Sequence, residues 1–262
     1  MDLREKTALV TGSARGLGKK AVQALAAKGC KVVINYVHSE REAHELAEEI
    51  RKSGGTAVAL QADITEPKQR EQLMEEAASH FGGVDILVNN AGPFIRERID
   101  FADYKPEQIE HLLEGNLIAP MALDHLALPW MRKRGWGRII HFGFAHAGEA
   151  RGWPHRSVYA AAKVGLASFT KTLAMEEAEH GITVNMICPG DIRGENKERD
   201  IADVTGLIDA ESPRGRPGSG EDVARVIAFL CEPASDYITG SIIEVSGALD
   251  PIRPLPLERK KK

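Results

Sequence analysis

Short β-branched runs alternate with longer amphipathic stretches along nearly the whole chain, and this rhythm restricts the fold more than any other feature. The runs are Lys6–Val10, Lys31–Tyr36, Thr56–Gln61, Val84–Asn89, Arg138–Phe142, Ile182–Cys188 and Ser241–Val245. Their length and their Val and Ile content suit strands buried on both faces. Between them, Ser39–Ser53 places Ala43, Leu46, Ala47 and Ile50 on one helical stripe, and Glu66–Phe81 does the same with Leu73, Met74, Ala77 and Phe81. Strand–helix alternation implies right-handed crossovers. The expected architecture is therefore α/β: a Rossmann-type, doubly wound, parallel seven-stranded sheet with helices on both faces. No repeat, linker or composition break interrupts the rhythm, so residues 1–249 read as a single domain.

Composition narrows the function classes. With 262 residues, 43% hydrophobic and 27% charged, the chain is neither collagen-like, disulfide-stapled nor disordered. A formal charge of −4 provides no basic field for nucleic acid. No apolar run reaches the roughly 18 residues of a membrane span, and the opening MDLREKTALVTG lacks an apolar signal core. Cys30, Cys188 and Cys231 are far apart, which reads as reduced core residues of a cytoplasmic protein with no metal site. Residues 190–220 break the rhythm with Gly, Pro and charge and read as a lid over a ligand, because loops this long in compact domains tend to be functional. Residues 250–262 form a basic tail with three prolines, expected on the surface.

The first strand runs into Thr11-Gly12-Ser13-Ala14-Arg15-Gly16-Leu17-Gly18 and then a helix, Lys19–Lys28. Glycines at this junction allow a tight turn and close approach of a pyrophosphate to the free N–H groups of the helix. Further along, Tyr159 and Lys163 stand four apart and share one face of a helix expected over Val158–His180. A phenol titrates near about 10. A neighbouring ammonium favours the phenolate, so the Tyr159 pKa is expected to fall, giving an acid/base suited to a carbonyl oxygen.

Six ordered motifs give the chain a resemblance to the short-chain dehydrogenase/reductase family, in its compact, 3-oxoacyl-carrier-protein-reductase-like form, over residues 5–249. They are Thr11–Gly18, Asp63 and Ile64 in Ala62-Asp63-Ile64-Thr65, Asn89-Asn90-Ala91-Gly92, Asn116 in Gly115-Asn116-Leu117, Tyr159-Ala160-Ala161-Ala162-Lys163, and Pro189-Gly190. The resemblance implies hydride transfer between a nicotinamide and a carbonyl or secondary alcohol. It makes Tyr159 the acid/base, Lys163 a donor to the nicotinamide ribose, and Asn116 the holder of a relay water. It implies cofactor contacts from Gly12, Ser13, Arg15, Gly16, Leu17 and Gly18, from Asp63 to the adenine amino group, and from Ile64. It adds Asn90, Ala91, Gly92, Pro189, Gly190 and Ile192, and a homo-oligomer, dimer or tetramer, built through paired helices. Many enoyl reductases of similar fold place the lysine about seven residues after the tyrosine. Here the offset is four and Leu166 holds the later position, which favours carbonyl chemistry.

The cofactor is expected to be NADP(H) rather than NAD(H). The second strand ends Asn35-Tyr36-Val37-His38-Ser39, with no carboxylate before Glu40 to take a ribose 2′-hydroxyl. Arg15 could face a 2′-phosphate, with Asn35 and Ser39 as neutral donors.

Two positions depart from the family pattern, both at the nicotinamide end. The serine expected after the fifth strand is Phe144 when counted forward and His146 when counted back from Tyr159. A small insertion within Ala145–Arg156 explains the difference, and Ser157 falls on another helix face. His146 is the candidate replacement, its imidazole N–H donating to the substrate oxygen; His141 lies inside the strand. Gly194 stands where the family has a threonine. These losses keep an alternative open: a dinucleotide-binding protein with weak or no catalysis, acting as a redox sensor or assembly subunit.

Overall fold

The computed structural model describes residues 3–252; the tail from 253 onward lies outside the described residues. Seven strands form one parallel sheet: β1 (Thr7–Val10), β2 (Lys31–Tyr36), β3 (Thr56–Gln61), β4 (Ile86–Asn89), β5 (Gly137–Phe142), β6 (Ile182–Pro189) and β7 (Ile242–Val245). Their order is β3-β2-β1-β4-β5-β6-β7. The winding reverses between β1 and β4, where Ala8 pairs with Ile86 and Val10 with Val88. Crevices at such a reversal, at the carboxyl ends of the strands, are where open α/β sheets hold ligands.

The helices are α1 (Gly16–Ala27), α2 (Glu40–Lys52), α3 (Pro67–Phe81), α4 (Pro106–Leu113), α5 (Ala119–Arg134), α6 (Ser157–Glu177), α7 (Ile201–Val204) and α8 (Gly220–Cys231). Strand residues alternate between two cores, as the pleat requires. Ala8, Val10, Val32 and Ile34 meet Val22, Leu25, Leu46 and Ile227 from α1, α2 and α8. Leu9, Val33, Leu87 and Ile139 meet Leu73, Leu123 and Leu173 from α3, α5 and α6. The expected doubly wound sheet is the observed one.

The second core contains a polar network. Asp124 on α5 accepts from Asn89 Nδ2 on β4 at 2.8 Å and faces His141 Nε2 on β5 at 2.8 Å. His141 Nδ1 lies 2.8 Å from Thr170 Oγ1 on α6. That hydroxyl donates to Leu166 O, so the ring nitrogen is the donor to it. All four residues are fully buried. The network ties together the elements that carry the candidate site above it.

The chain end departs from the expected surface tail at its first residues. Leu249 and Ile252 are buried, and Ile252 packs in a cluster with Phe144 and Trp153. Leu249, Asp250 and Pro251 line the cleft described below, so the packed chain runs past residue 249.

Candidate active site

A cleft of about 1180 Å³ opens at the carboxyl ends of β1, β4, β5 and β6. Its inner wall is the turn from β1 into α1. Gly12 has φ +59, and a Cβ there would stand 3.0 Å from Ala91 Cβ. A Cβ on Gly18 would come within 2.7 Å of Asn90 Nδ2 and 2.8 Å of Gly12 O. Asn90 Nδ2 donates to Thr11 O at 2.8 Å and Gly12 O at 3.1 Å, and Ala91 N donates to Thr11 Oγ1 at 3.0 Å. The first glycine turn and the Asn-Asn-Ala-Gly segment are thus one hydrogen-bonded unit, and larger residues would force it apart.

Most of the sequence-named residues converge on this cleft. Gly12, Arg15, Gly16, Leu17, Ser39, Asn90, Ala91, Gly92, Asn116, Tyr159, Lys163, Pro189, Gly190 and Ile192 all line it. Ser13 and Gly18 do not; they shape the turn, with Ser13 Oγ donating to Val10 O at 2.7 Å. Asp63 and Ile64 also lie outside the lining. Asp63 Oδ1 accepts from Thr65 N and Oγ1 at 2.9 and 2.7 Å, and Ile64 is a core residue.

Asn35 requires a correction. It borders the cleft, but its Oδ1 accepts from Gly12 N at 3.0 Å and its Nδ2 donates to Ala62 O at 2.9 Å. The expected donor to a 2′-phosphate is a clamp holding β1, β2 and the end of β3 together.

Asn116 sits in one turn of π-helix, Glu114–Ile118, between α4 and α5. Such turns recur at functional sites because they displace one side chain from the helical ladder. Asn116 Nδ2 donates to Pro93 O at 2.8 Å and Leu112 O at 3.0 Å, which fixes the amide. Its Oδ1 is buried with no partner among the described residues. A Cβ on Gly92 would lie 2.5 Å from that oxygen and 3.6 Å from Lys163 Nζ. Gly92 therefore keeps open a small space in which a buried acceptor faces a lysine, and buried acceptors demand a donor.

Tyr159 and Lys163 rise from the first turns of α6. Lys163 Nζ lies 5.9 Å from the centre of the Tyr159 ring. Burial pushes the lysine down to about 8 and pushes the tyrosine up. The expected lowering of the phenol by the neighbouring ammonium is not found: burial outweighs an ammonium that stands off to the side. The phenol is accordingly held in its protonated, donating form.

Around that hydroxyl stands an aromatic wall that spacing did not reveal. Phe94 meets the Tyr159 ring edge-on at 5.0 Å, Phe144 lies 6.1 Å away, and Trp153 lies 6.1 Å away. Phe144 stacks at 4.9 Å on Trp153 and is buried. Phe94, two residues after the Asn-Asn-Ala-Gly motif, carried a positional hint; Trp153 lies in the inserted loop, where no motif marks it.

His146 is the second correction. Its backbone takes φ +73, and the side chain turns from the cleft toward an acidic group. Nδ1 lies 3.0 Å from Glu149 Oε1 and 3.5 Å from Glu244 Oε1, and the backbone N–H donates to Glu244 at 2.7 Å. The Glu149 hydrogen bond raises its pKa despite partial burial. His146 is absent from the cleft lining, and its ring is engaged by Glu149, with Asp250 3.8 Å from Nε2. His146→Ala is expected to change turnover by less than about twofold, whereas removal of a true oxyanion donor costs about 10²–10³. Steady-state rates on any accepted substrate decide between them. Phe144, the position reached by the forward count, is the one that lies beside Tyr159, 6.1 Å from its ring. Gly194 has a physical reason too: φ +52 is a left-handed position that a β-branched threonine rarely adopts.

The irregular stretch after β6 contributes Asp191, Arg193, Lys197, Glu198 and Glu211 to the cleft lining. A helical turn, Gly194–Lys197, leads to Glu198, which reaches back to α1. Glu198 Oε1 accepts from Gly16 N at 2.8 Å, and Oε2 lies 3.1 Å from Lys19 Nζ. Asp200 pairs with Lys20. Among the described residues, no helix is long and apolar enough to cross a membrane.

Comparison with known proteins agrees with this geometry. A family described as enoyl-(acyl carrier protein) reductase matches residues 12–249. The Bacillus subtilis protein YtkK, described as an oxidoreductase, is 47% identical over 246 residues, covering 94% of this chain and 96% of its own. The 3-oxoacyl-[acyl-carrier-protein] reductase FabG of Escherichia coli is 36% identical over 249 residues, covering 95% and 99%. A solved structure described as a 3-oxoacyl-reductase from Bacillus thuringiensis superposes with a TM-score of 0.89 at 46% identity, over 95% of this chain and 99% of that one. A blue fluorescent protein from a metagenomic library, solved in complex with NADPH, gives a TM-score of 0.81 at 34% identity, over 94% and 98%. Matched in sequence and in fold over almost its whole length, this chain belongs to the short-chain dehydrogenase/reductase family, in its 3-oxoacyl-carrier-protein-reductase-like form.

Proposed function

We propose that this protein is an NADP(H)-dependent oxidoreductase that reduces a carbonyl to a secondary alcohol, with Tyr159 as proton donor. The observation that carries the reading is the convergence of Tyr159, Lys163 and the unpartnered Asn116 Oδ1 in a cleft continuous with the glycine turn. The matched family is described by enoyl reduction, whereas several of the relatives are named for 3-oxoacyl reduction. The four-residue Tyr159–Lys163 offset supports the carbonyl alternative.

The residues fit a dinucleotide. The α1 N-terminus offers N–H groups with no acidic residue in its first turn, and the buried Asn116 acceptor awaits a donor. When bound, the cofactor supplies the hydride. Arg15 would take the 2′-phosphate, and Lys163 the ribose hydroxyls. Asn116 Oδ1 would hold a water that resupplies the Tyr159 proton. A phenol kept protonated by burial donates to the oxygen as negative charge develops there, which favours reduction. Phe144 gives that oxygen no second donor, so simple ketones should turn over about 10²–10³ slower than with a hydroxyl at this place. The same residue is what favours the second reading, cofactor binding with weak catalysis.

NADPH is expected to bind at least about tenfold more tightly than NADH, and Arg15→Ala to remove most of that difference. Dissociation constants from the fluorescence of the reduced cofactors measure it. Equal or tighter binding of NADH would overturn the cofactor assignment.

A further inference from the structure

The outer end of the cleft, beyond Tyr159, carries a charge that the reading above leaves without a role. Each carboxylate there is already matched. Asp191 and Glu211 flank Arg193 at 2.5 and 2.8 Å, and Asp250 meets Arg151 at 2.9 Å. Arg96 and Arg98 also line the cleft, are exposed, and have no carboxylate partner among the described residues. They stand two residues apart in the loop after β4, and both contribute to the lining while Glu97 between them does not. Arg156, 8% exposed, donates its guanidinium to the carbonyls of Arg96 and Glu97 and stacks over Phe94 at 4.9 Å. That anchor fixes the loop that presents both arginines. Phe94 is 48% exposed, lines the cleft and meets the Tyr159 ring edge-on at 5.0 Å.

Resting on the carbonyl-reductase reading, we propose that the substrate is a carbonyl compound with a flat apolar body and a carboxylate, the body on Phe94 and the carboxylate on Arg96 and Arg98. Phe94 and Arg96 are two residues apart, a reach of at most roughly 7 Å, about the length of an aryl ring. The test uses 4-acetylbenzoate, its methyl ester and 4-acetylbenzamide, titrated calorimetrically into protein saturated with NADP⁺. At about 50 mM salt the acid is expected to bind about tenfold tighter than either neutral probe, and the preference to shrink as salt rises. In the Arg96→Gln/Arg98→Gln variant the ratio should fall below about twofold. The ratio is read within one protein preparation, so a general loss of fold cancels. Equal binding of acid and ester, or a preference that survives the double substitution, overturns the assignment. Failure of the carbonyl reading has a different signature: no Tyr159-dependent reduction of any carbonyl.

A second inference comes from the lid. Gly16, Leu17 and Gly18 present the free N–H groups of α1, and α1 has no side-chain cap of its own. The Glu198 carboxylate, 182 residues away, occupies the Gly16 N–H and the adjacent Lys19. Its pKa falls although burial opposes this, because Gly16 N–H, Lys19 and Arg15 all favour the anion. We infer that Glu198 stands in for the cofactor pyrophosphate when the cleft is empty and must leave as the dinucleotide enters. Removing it should tighten only ligands that place a phosphate on α1. For Glu198→Gln and Glu198→Ala, 2′-phospho-ADP-ribose is expected to bind at least about fivefold tighter by calorimetry. Adenosine 2′-monophosphate, which has no phosphate at that position, should change by less than about twofold. No gain for the first ligand, or an equal gain for both, overturns the inference. Failure of both nucleotides to bind the parent protein would overturn the cofactor assignment itself.

Discussion

Tyr159→Phe is expected to abolish measurable carbonyl reduction while leaving NADPH affinity within about twofold. General acid catalysis contributes about 10²–10⁴ in rate, and the phenol is the donor proposed for the reacting oxygen. The substitution removes one oxygen and keeps the ring, so the packing on Phe94, Phe144 and Trp153 survives. Cofactor contacts assigned to the glycine turn, Asn90 and Lys163 are untouched. Lys163→Met should differ by weakening cofactor and turnover together, since the lysine is assigned the ribose hydroxyls and stands beside the tyrosine. Initial rates and cofactor titrations on both variants separate these roles. A phenylalanine variant that keeps most of its activity would show that another group delivers the proton.

The largest effect on stability is expected at Asp124, far from the chemistry. Its carboxylate is fully buried and holds His141 at 2.8 Å and Asn89 Nδ2 at 2.8 Å. Asp124→Ala leaves both groups without that acceptor in a buried core. Breaking a buried polar pair from one side costs about 3–5 kcal/mol. For a domain of this size each kcal/mol is roughly 2–4 °C, so Tm should drop by roughly 6–20 °C. The loss should extend to function, because Asn89 adjoins Asn90 and Thr170 lies on the helix that carries Tyr159 and Lys163. A Tm within about 2 °C of the parent, measured by calorimetry, would mean the network contributes no net stability.

The sheet was legible because it rests on period and composition. Each Val/Ile run became a strand within a residue or two, and the motifs landed at the carboxyl ends where the sheet reverses. Residues that act through backbone were equally legible: Gly12 and Gly92 are required by close approaches that only a missing Cβ permits. Side-chain direction was not legible. Asn35 at a strand end could equally face a ligand or clamp the turn, and its neighbours Gly12 and Ala62 decide for the clamp. His146 satisfied the spacing count, but a left-handed backbone turns it toward Glu149 and Glu244. Trp153 comes from an inserted loop without a pattern, and Glu198 reaches α1 from across the chain. Contacts of that separation leave no local trace.

Hydride transfer is the claim on which the functional reading turns, and isotope transfer measures it directly. The protein would be incubated with NADPH deuterated at the transferring position and with a panel of ketones and aldehydes, the keto acid of the charge test included. The expected result is an alcohol carrying one deuterium at the former carbonyl carbon, formed in step with NADP⁺ and lost in Tyr159→Phe. Tight NADPH binding with no deuterium in any product would contradict it, and would make this chain a dinucleotide-binding protein in which Phe144 has closed the ordinary catalytic site.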